Sequence, residues 1–300
     1  MNRSITFTKN LFDRDTLLHL RIPFSIYLFP VFWFGISQSL NIHAIDVFIV
    51  FIVLHLFIYP ASNLYNSYMD KDTGSIGGLE HPPPIKRSMY YTSIIVDVAG
   101  LLICALTGWQ NVLLVAGYIA FSKSYSWDGI RLKKYPLWGW LSVMFFQGGY
   151  TFMLSSMTAQ RQVDMFWFTP ANLEGMLIAS LMLGGSYPLT QVYQHEEDGE
   201  RGDYTISYKL GVKGTFIFSG IFFALSAIVC YHYFTTWRTL TDFFIFVACL
   251  SPLIIYFNWW FARVWKDPAE ARYKYAMLMN KISAACMIVC FTIIMIKDSV

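Results

Sequence analysis

Charge is scarce in this sequence. Only 14% of its 300 residues are Asp, Glu, Lys or Arg, against 56% hydrophobic, and the mean hydropathy is +0.45. Soluble domains carry about a quarter charged residues, so a water-exposed globule is excluded and the bilayer is the expected solvent. Cysteine is sparse as well: Cys104, Cys230, Cys249, Cys286 and Cys290 all fall inside apolar runs, where a thiol behaves as a small hydrophobe. That excludes a disulfide framework and a zinc site. Cys286 and Cys290 are one helical turn apart but have no His or further Cys nearby, and they read as packing. A cleavable leader is not expected either. Residues 1–20, with Arg3, Lys9, Asp13, Arg14 and Asp15 around Leu11, Phe12, Leu17 and Leu18, read as an N-terminal amphipathic surface helix.

What the chain has in abundance is long apolar runs. A spanning helix needs about 20 mostly apolar residues, and such runs begin near Arg21, His43, Met89, Trp109, Pro136, Pro170, Gly214, Leu240 and Tyr275. The expectation is one all-α transmembrane domain over residues 1–300, with about nine helices around a central cavity open to the cytosol. Lys and Arg set the orientation, because cytoplasmic loops carry the positive excess. Eighteen fall on one side and only Arg161, Arg238 and Lys297 on the other, which puts the N-terminus and the long even-numbered loops in the cytosol. The net charge of +3 thus reflects topology and gives no reason to invoke nucleic acid.

An internal repeat stands out. Pro60, Tyr65, Asn66, Asp70, Asp72 and Gly74 recur at a constant offset of 128 as Pro188, Tyr193, Gln194, Asp198, Glu200 and Gly202. The shared pattern, P-x4-Y-[NQ]-x3-D-x-[DE]-x-G over 60–74 and 188–202, falls at the cytosolic ends of the expected second and sixth spans. Residues four apart share a helix face, so Asn66 should point with Asp70 and Gln194 with Asp198. Each helix end then offers an amide oxygen and a carboxylate, followed by further acids: Asp72 in one copy, Glu196, Glu197 and Glu200 in the other. Oxygen sets of this kind suit Mg²⁺, which takes one or two carboxylates from protein and the rest from waters and phosphates. Any one acid also reads as an ordinary polar loop residue, but solvated loops have no reason to duplicate the spacing together with its Pro, Tyr and Gly.

Cations share that face. Ser122 to Lys134 concentrates Lys123, Arg131, Lys133 and Lys134, and Arg201 lies within the second motif. Carboxylates holding Mg²⁺ beside Arg and Lys suit a metal-bridged pyrophosphate, although each cation taken singly also satisfies the positive-inside rule.

Together these residues resemble the UbiA-type intramembrane prenyltransferases, over nearly the whole chain. YNSYMDKDTG (Tyr65 to Gly74) is similar to the family's N-D-x-x-D-x-x-x-D motif, YQHEEDGERGDYT (Tyr193 to Thr205) to its D-x-x-x-D motif, and YSWDGIRLKK (Tyr125 to Lys134) to its Tyr-x-x-x-Lys-Arg loop. The resemblance implies Mg²⁺-dependent transfer of a prenyl group from its diphosphate to a lipophilic or aromatic acceptor in the membrane. Asn66, Asp70, Gln194, Asp198, Asp72 and Glu197 would serve the metal, with Asp70, Asp198 and Asn66 catalytic. Tyr65, Tyr125, Arg131, Lys133, Lys134, Tyr193 and Arg201 would bind substrate. An apolar cavity with aromatic faces would shelter the allylic cation, and Tyr59, Tyr65, Tyr68, Phe145, Phe146, Tyr187 and Tyr193 are available near the motif ends.

The sequence also departs from the family pattern. Ser67, Gly74 and Gln194 stand where the family often has Asp, and the loop Gly74 to Arg87 lacks the Arg-Pro-Leu-Pro-x-Gly stretch of several branches. Two other readings compete. A relative of this fold could cyclise the prenyl diphosphate itself, and a secondary transporter would explain both an internal repeat and an intramembrane acid. That acid, Asp97, reads either as paired within the bundle, with Lys281 as a candidate partner, or as part of an acceptor site.

Overall fold

Inside hydrocarbon every backbone polar group must be satisfied locally, which favours helices. The computed structural model describes residues 11–39, 41–71 and 73–299, and among them no strand forms apart from an isolated bridge between Ile76 and Leu79. In chain order, α1 (Arg14–Leu20) leads through a 3-10 segment (Ile22–Leu28) into α2 (Phe29–Ser37). A continuous run follows, made of α3 (Ala44–Ile52), a π-helical turn (Val53–Ile58) and α4 (Tyr59–Asp70). After α5 (Arg87–Cys104) and α6 (Trp109–Ser126), a second interrupted run comprises α7 (Pro136–Val143), a π-helical stretch (Met144–Tyr150) and α8 (Thr151–Gln160). The chain ends with α9 (Pro170–Leu189), the short α10 (His195–Arg201), α11 (Ile206–Trp237), α12 (Leu240–Lys266) and α13 (Tyr273–Ser299). The surface helix expected over residues 1–20 is described only from residue 11, and α1 occupies its last part.

The all-helical class holds. Six stretches are long and apolar enough to cross a membrane: Arg14–Ser37, Ala44–Asp70, Arg87–Thr107, Ile206–Trp237, Leu240–Lys266 and Tyr273–Asp298. Six, not nine, is therefore the number of spans that length and apolarity establish among the described residues. The run through α8 is not among the six. Its residues Thr151 to Ala159 are all buried and include Thr151, Ser155, Ser156 and Thr158. A helix wrapped by other helices needs no lipid-facing side, and small or hydroxylated residues let its neighbours approach closely.

The chain divides into two compact units, the described residues of Met1–Ile26 with Ala44–Leu132, and Tyr27–His43 with Lys133–Val300. In the first, Pro60 accounts for the π-helical turn. Proline has no N–H and its ring crowds the preceding turn; here the Tyr59 N–H reaches back five residues to the Leu54 carbonyl, and the widened turn accommodates the ring. Leu20, Leu64 and Met89 pack α1, α4 and α5 together, with Tyr68 and Ile85 against them. In the second unit, Gly148 and Gly149 bring the π-helical stretch onto α9. The Gly149 N–H donates to Ser180 Oγ at 3.1 Å, and a Cβ on Gly148 would lie 2.7 Å from the Ala179 carbonyl oxygen.

Candidate functional site

The first motif is the end of one helix. In α4, Asn66 and Asp70 lie one turn apart on the same face, and the helix stops at Lys71, a left-handed cap (φ 56) whose N–H returns to the Ser67 carbonyl. Asn66 Oδ1 accepts from the hydroxyl of Ser126, the last residue of α6, at 2.5 Å. The Asp70 side chain is only 2% exposed, and Arg131 Nη2 lies 3.7 Å from its Oδ1. Arg131 also donates to Asp128 at 2.8 Å. Its backbone is left-handed (φ 44), with an N–H that reaches the Trp127 carbonyl at 2.6 Å, so the turn after α6 curls the guanidinium back toward α4. Tyr125 is half-buried in the last turn of α6, and Asp72 lies outside the described residues.

Tyr65 is buried, and Lys123 Nζ sits 4.3 Å from its ring centroid. The same ammonium pairs with Asp97 Oδ2 at 2.8 Å. Asp97 is thus paired within the bundle, with Lys123 rather than the candidate Lys281 as its partner. The reason is that α6 continues helically to Ser126, which leaves Lys123 on a helical turn facing α5.

The second motif departs from the first. The expected single helix face does not form there, because α9 ends at Leu189, directly after Pro188, and a turn intervenes before α10. Gln194 is the N-terminal cap of α10 (φ −107, ψ 2), and its carbonyl accepts the Asp198 N–H at 2.9 Å. Pro188, the penultimate residue of α9, leaves little ladder behind it, whereas Pro60 near the start of α4 has ten helical residues after it.

In α10, Glu197 faces Arg201 at 3.7 Å, while Glu196 and Glu200 are exposed. Asp198 Oδ2 accepts from Thr205 Oγ1 at 3.5 Å, and Gly202 in the left-handed region (φ 71) turns the chain so that the Asp203 N–H reaches the Asp198 carbonyl. The His195 Nε2 lies 2.7 Å from Ser207 Oγ, and burial lowers its pKa below the ordinary imidazole value, so it adds no positive charge at neutral pH. Tyr193 meets the Tyr273 ring edge-on at 5.3 Å.

Lys133 pairs with the buried Asp203 at 3.3 Å, and Lys134 is exposed. Sequence reasoning missed Asp203, Ser126 and Asp128 as partners of these groups. Asp203 directly follows the motif glycine and Ser126 closes a helix, so both positions were visible, but their facing side chains were not.

The donor chemistry fits a hard cation shared with phosphate. Among the described residues no three His, Cys, Asp or Glu side chains gather into a cage, but Mg²⁺ in phosphate sites takes only one or two carboxylates, and each motif provides that. Arg131 has the two-pronged geometry that suits phosphate oxygens, which Lys lacks. Both Arg131→Ala and Arg131→Lys are therefore expected to weaken prenyl diphosphate affinity about tenfold or more. Unchanged apparent affinity in both variants would reduce Arg131 to a topology marker.

Comparison with known proteins bears on the fold. A structure of a UbiA homolog from Archaeoglobus fulgidus bound to GPP and Mg²⁺ matches with a TM-score of 0.67 and 16% identity, covering 94% of this chain and 99% of that one. The same homolog bound to DMAPP and Mg²⁺ matches with a TM-score of 0.65 at 17% identity, again over 94% and 99%. A digeranylgeranylglyceryl phosphate synthase structure matches with a TM-score of 0.60 at 18% identity, over 95% and 98%. At these identities the likeness shows the fold alone. No curated protein sequence matches the chain. The model of the UbiA prenyltransferase family matches residues 27–282, and with it this helical, multi-pass membrane protein belongs to that family.

Proposed function

We propose that the protein transfers a prenyl group from a prenyl diphosphate to a lipophilic or aromatic acceptor within the membrane, using Mg²⁺. The observation that carries the reading is the pairing of Asn66 and Asp70 on one face of α4 with the Arg131 guanidinium beside the carboxylate. The homolog structures bound to GPP or DMAPP with Mg²⁺ support the same substrate class and ion. The cytosolic placement of both motifs is part of the proposal and rests on the distribution of Lys and Arg.

In this mechanism Mg²⁺, when bound, neutralises the charge that develops on the leaving pyrophosphate. Asp70 and Asp198 would be its principal carboxylates, with Asn66 and Gln194 as neutral oxygens and Glu197 and Asp72 supplementing them. Ser126 holds the Asn66 amide in place through its hydroxyl. Arg131, Lys133, Lys134 and Arg201 would contact the remaining phosphate oxygens. Tyr65, Tyr125 and Tyr193 would contribute aromatic groups to the substrate-binding side of the site.

Ser67 and Gly74 in the first motif and Gln194 in the second stand in place of carboxylates and leave each site less anionic, so half-maximal activity should require more free Mg²⁺ than a fully acidic site does. Gln194→Glu adds the missing charge at the cap of α10 and is expected to lower that Mg²⁺ requirement severalfold in a titration of prenyl diphosphate consumption. An unchanged requirement would remove the amide from the ligand set in favour of Glu196, Glu197 or Glu200.

The test of the function is mass spectrometry of lipids from a host expressing the protein, compared with the Asp70→Asn, Asp198→Asn double variant. A prenylated product present only with the wild type supports the reading. Incubating purified protein with prenyl diphosphate and Mg²⁺ but no acceptor separates the chemistries, because a cyclase releases a hydrocarbon or terpene alcohol there and a transferase releases little.

A further inference from the structure

Arg21 is one of eighteen cations that sequence reasoning assigned to the cytosolic side, yet its side chain does not face water. The residue is 7% exposed and closes α1 in the left-handed region (φ 49), with its N–H returned to the Leu18 carbonyl at 3.1 Å. A non-glycine residue held at positive φ is uncommon and persists where surrounding contacts over-determine it. Those contacts are specific. Nη1 donates to the Gly77 carbonyl at 2.9 Å, while Nη2 donates to the Asn63 carbonyl at 2.9 Å and lies 3.4 Å from Ser67 Oγ. One planar guanidinium therefore grips α4 one to two turns before Asp70 and also grips the chain seven residues beyond it.

The grip is reinforced on both sides. Asn63 Nδ2 returns a hydrogen bond to the Leu20 carbonyl at 3.4 Å. Phe24 lies under the Arg21 guanidinium at 5.8 Å and packs so closely on Gly77 that a Cβ there would come within 2.6 Å of the ring. Gly78 is at φ +87, and Ile76 and Leu79 close the hairpin-like bridge around it. His19 Nε2 meets the Pro83 carbonyl at 2.8 Å, and Lys86 reaches both Asp13 and Asp15 at 2.6 Å. The segment after the first motif, which lacks the family's proline-rich stretch, is thus tied at several points to the segment from residue 13 to residue 24.

We infer that Arg21 is a positioning residue for the first motif: its forked contacts to Asn63, Ser67 and Gly77 fix the chain reversal that carries Asp70, and so set the geometry in which Asp70 and Asn66 meet the Mg²⁺–diphosphate. The inference rests on the function proposed above. Lysine at this position keeps the charge but offers a single point donor, which cannot hold the helix and the loop at once.

The test measures binding of geranyl diphosphate to full-length purified protein across a Mg²⁺ series, together with thermal unfolding, for the wild type, Arg21→Lys and Arg21→Gln. Arg21→Lys is expected to raise the geranyl diphosphate Kd about tenfold and to shift the half-saturating Mg²⁺ upward, the size seen when a group supporting a metal ligand is lost. Variants that unfold earlier but keep the wild-type Kd and Mg²⁺ dependence overturn the inference, because Arg21 then serves stability alone. Hydrogen exchange on the wild type provides a second measurement should the variants fail to fold. The Ile76 and Leu79 amides are expected to exchange more slowly with geranyl diphosphate and Mg²⁺ present, and no change there, with protection confined to α4, also overturns it. A wild type that does not bind geranyl diphosphate with Mg²⁺ fails the functional reading itself, which is distinct from a wild type that binds and variants that match it.

Discussion

Asp70→Asn and Asp198→Asn, made separately, should each lower prenyl diphosphate consumption by about a hundredfold or more, the loss typical of removing a main electrostatic contributor at a site of charge development. The change is nearly isosteric, so packing around the 2%-exposed Asp70 side chain survives while its charge does not. Arg131, 3.7 Å away, then loses its carboxylate neighbour but keeps Asp128 at 2.8 Å. The variants should stay folded. The check is pyrophosphate release in membranes containing equal amounts of each protein, with thermal unfolding alongside. Full activity of both variants would sink the metal–diphosphate mechanism. Loss in Asp70→Asn alone would confine the essential carboxylate to the first motif.

Asp97→Ala should destabilise the protein by about 3–5 kcal/mol, because it strands the Lys123 ammonium in a buried setting without its counter-charge. Lys123 is 19% exposed and Asp97 7% by side chain, so water does little to replace the lost partner. Replacing both with apolar residues of similar size, Asp97→Leu with Lys123→Met, should recover most of that loss, since a buried pair offsets its desolvation poorly. Thermal unfolding in detergent distinguishes the outcomes. If the double variant is no more stable than Asp97→Ala, the two residues do not function as a pair. The double variant also reads out the contact of Lys123 with the Tyr65 ring: a loss of activity with stability restored would mean that the ammonium matters to the motif beyond holding Asp97.

The residue pattern made some of this legible and hid the rest, for definable reasons. Asn66 and Asp70 were readable as a pair because both lie within one uninterrupted helix, where spacing alone fixes the shared face. Gln194 and Asp198 carry the same spacing but straddle a cap, because helix continuation past Pro188 depends on the turn that follows and not on the motif letters. Ion partners were the least visible. Asp97 meets Lys123 and Lys133 meets Asp203, pairings that depend on which helix faces which. Periodicity identifies the residues on a face but not the neighbour across from it. Arg21 was hidden for a related reason: counted as a charge it marks a side of the membrane, and only the left-handed turn at the end of α1 sends its side chain into the protein.

The widened turn before Pro60 gives the first motif an angular address. A π-helical turn amounts to one extra residue in a helix, and each residue of an α-helix advances the face by about 100°. The buried stripe of α3, with Val47 and Val50, and the stripe of α4 that carries Asn66 and Asp70 are therefore indexed to each other through residues 53–58. Losing one residue from that stretch would rotate the carboxylate away from Arg131 while leaving every motif letter in place. Along this helix the chemistry depends on the count of residues between the core and the motif as much as on the motif itself.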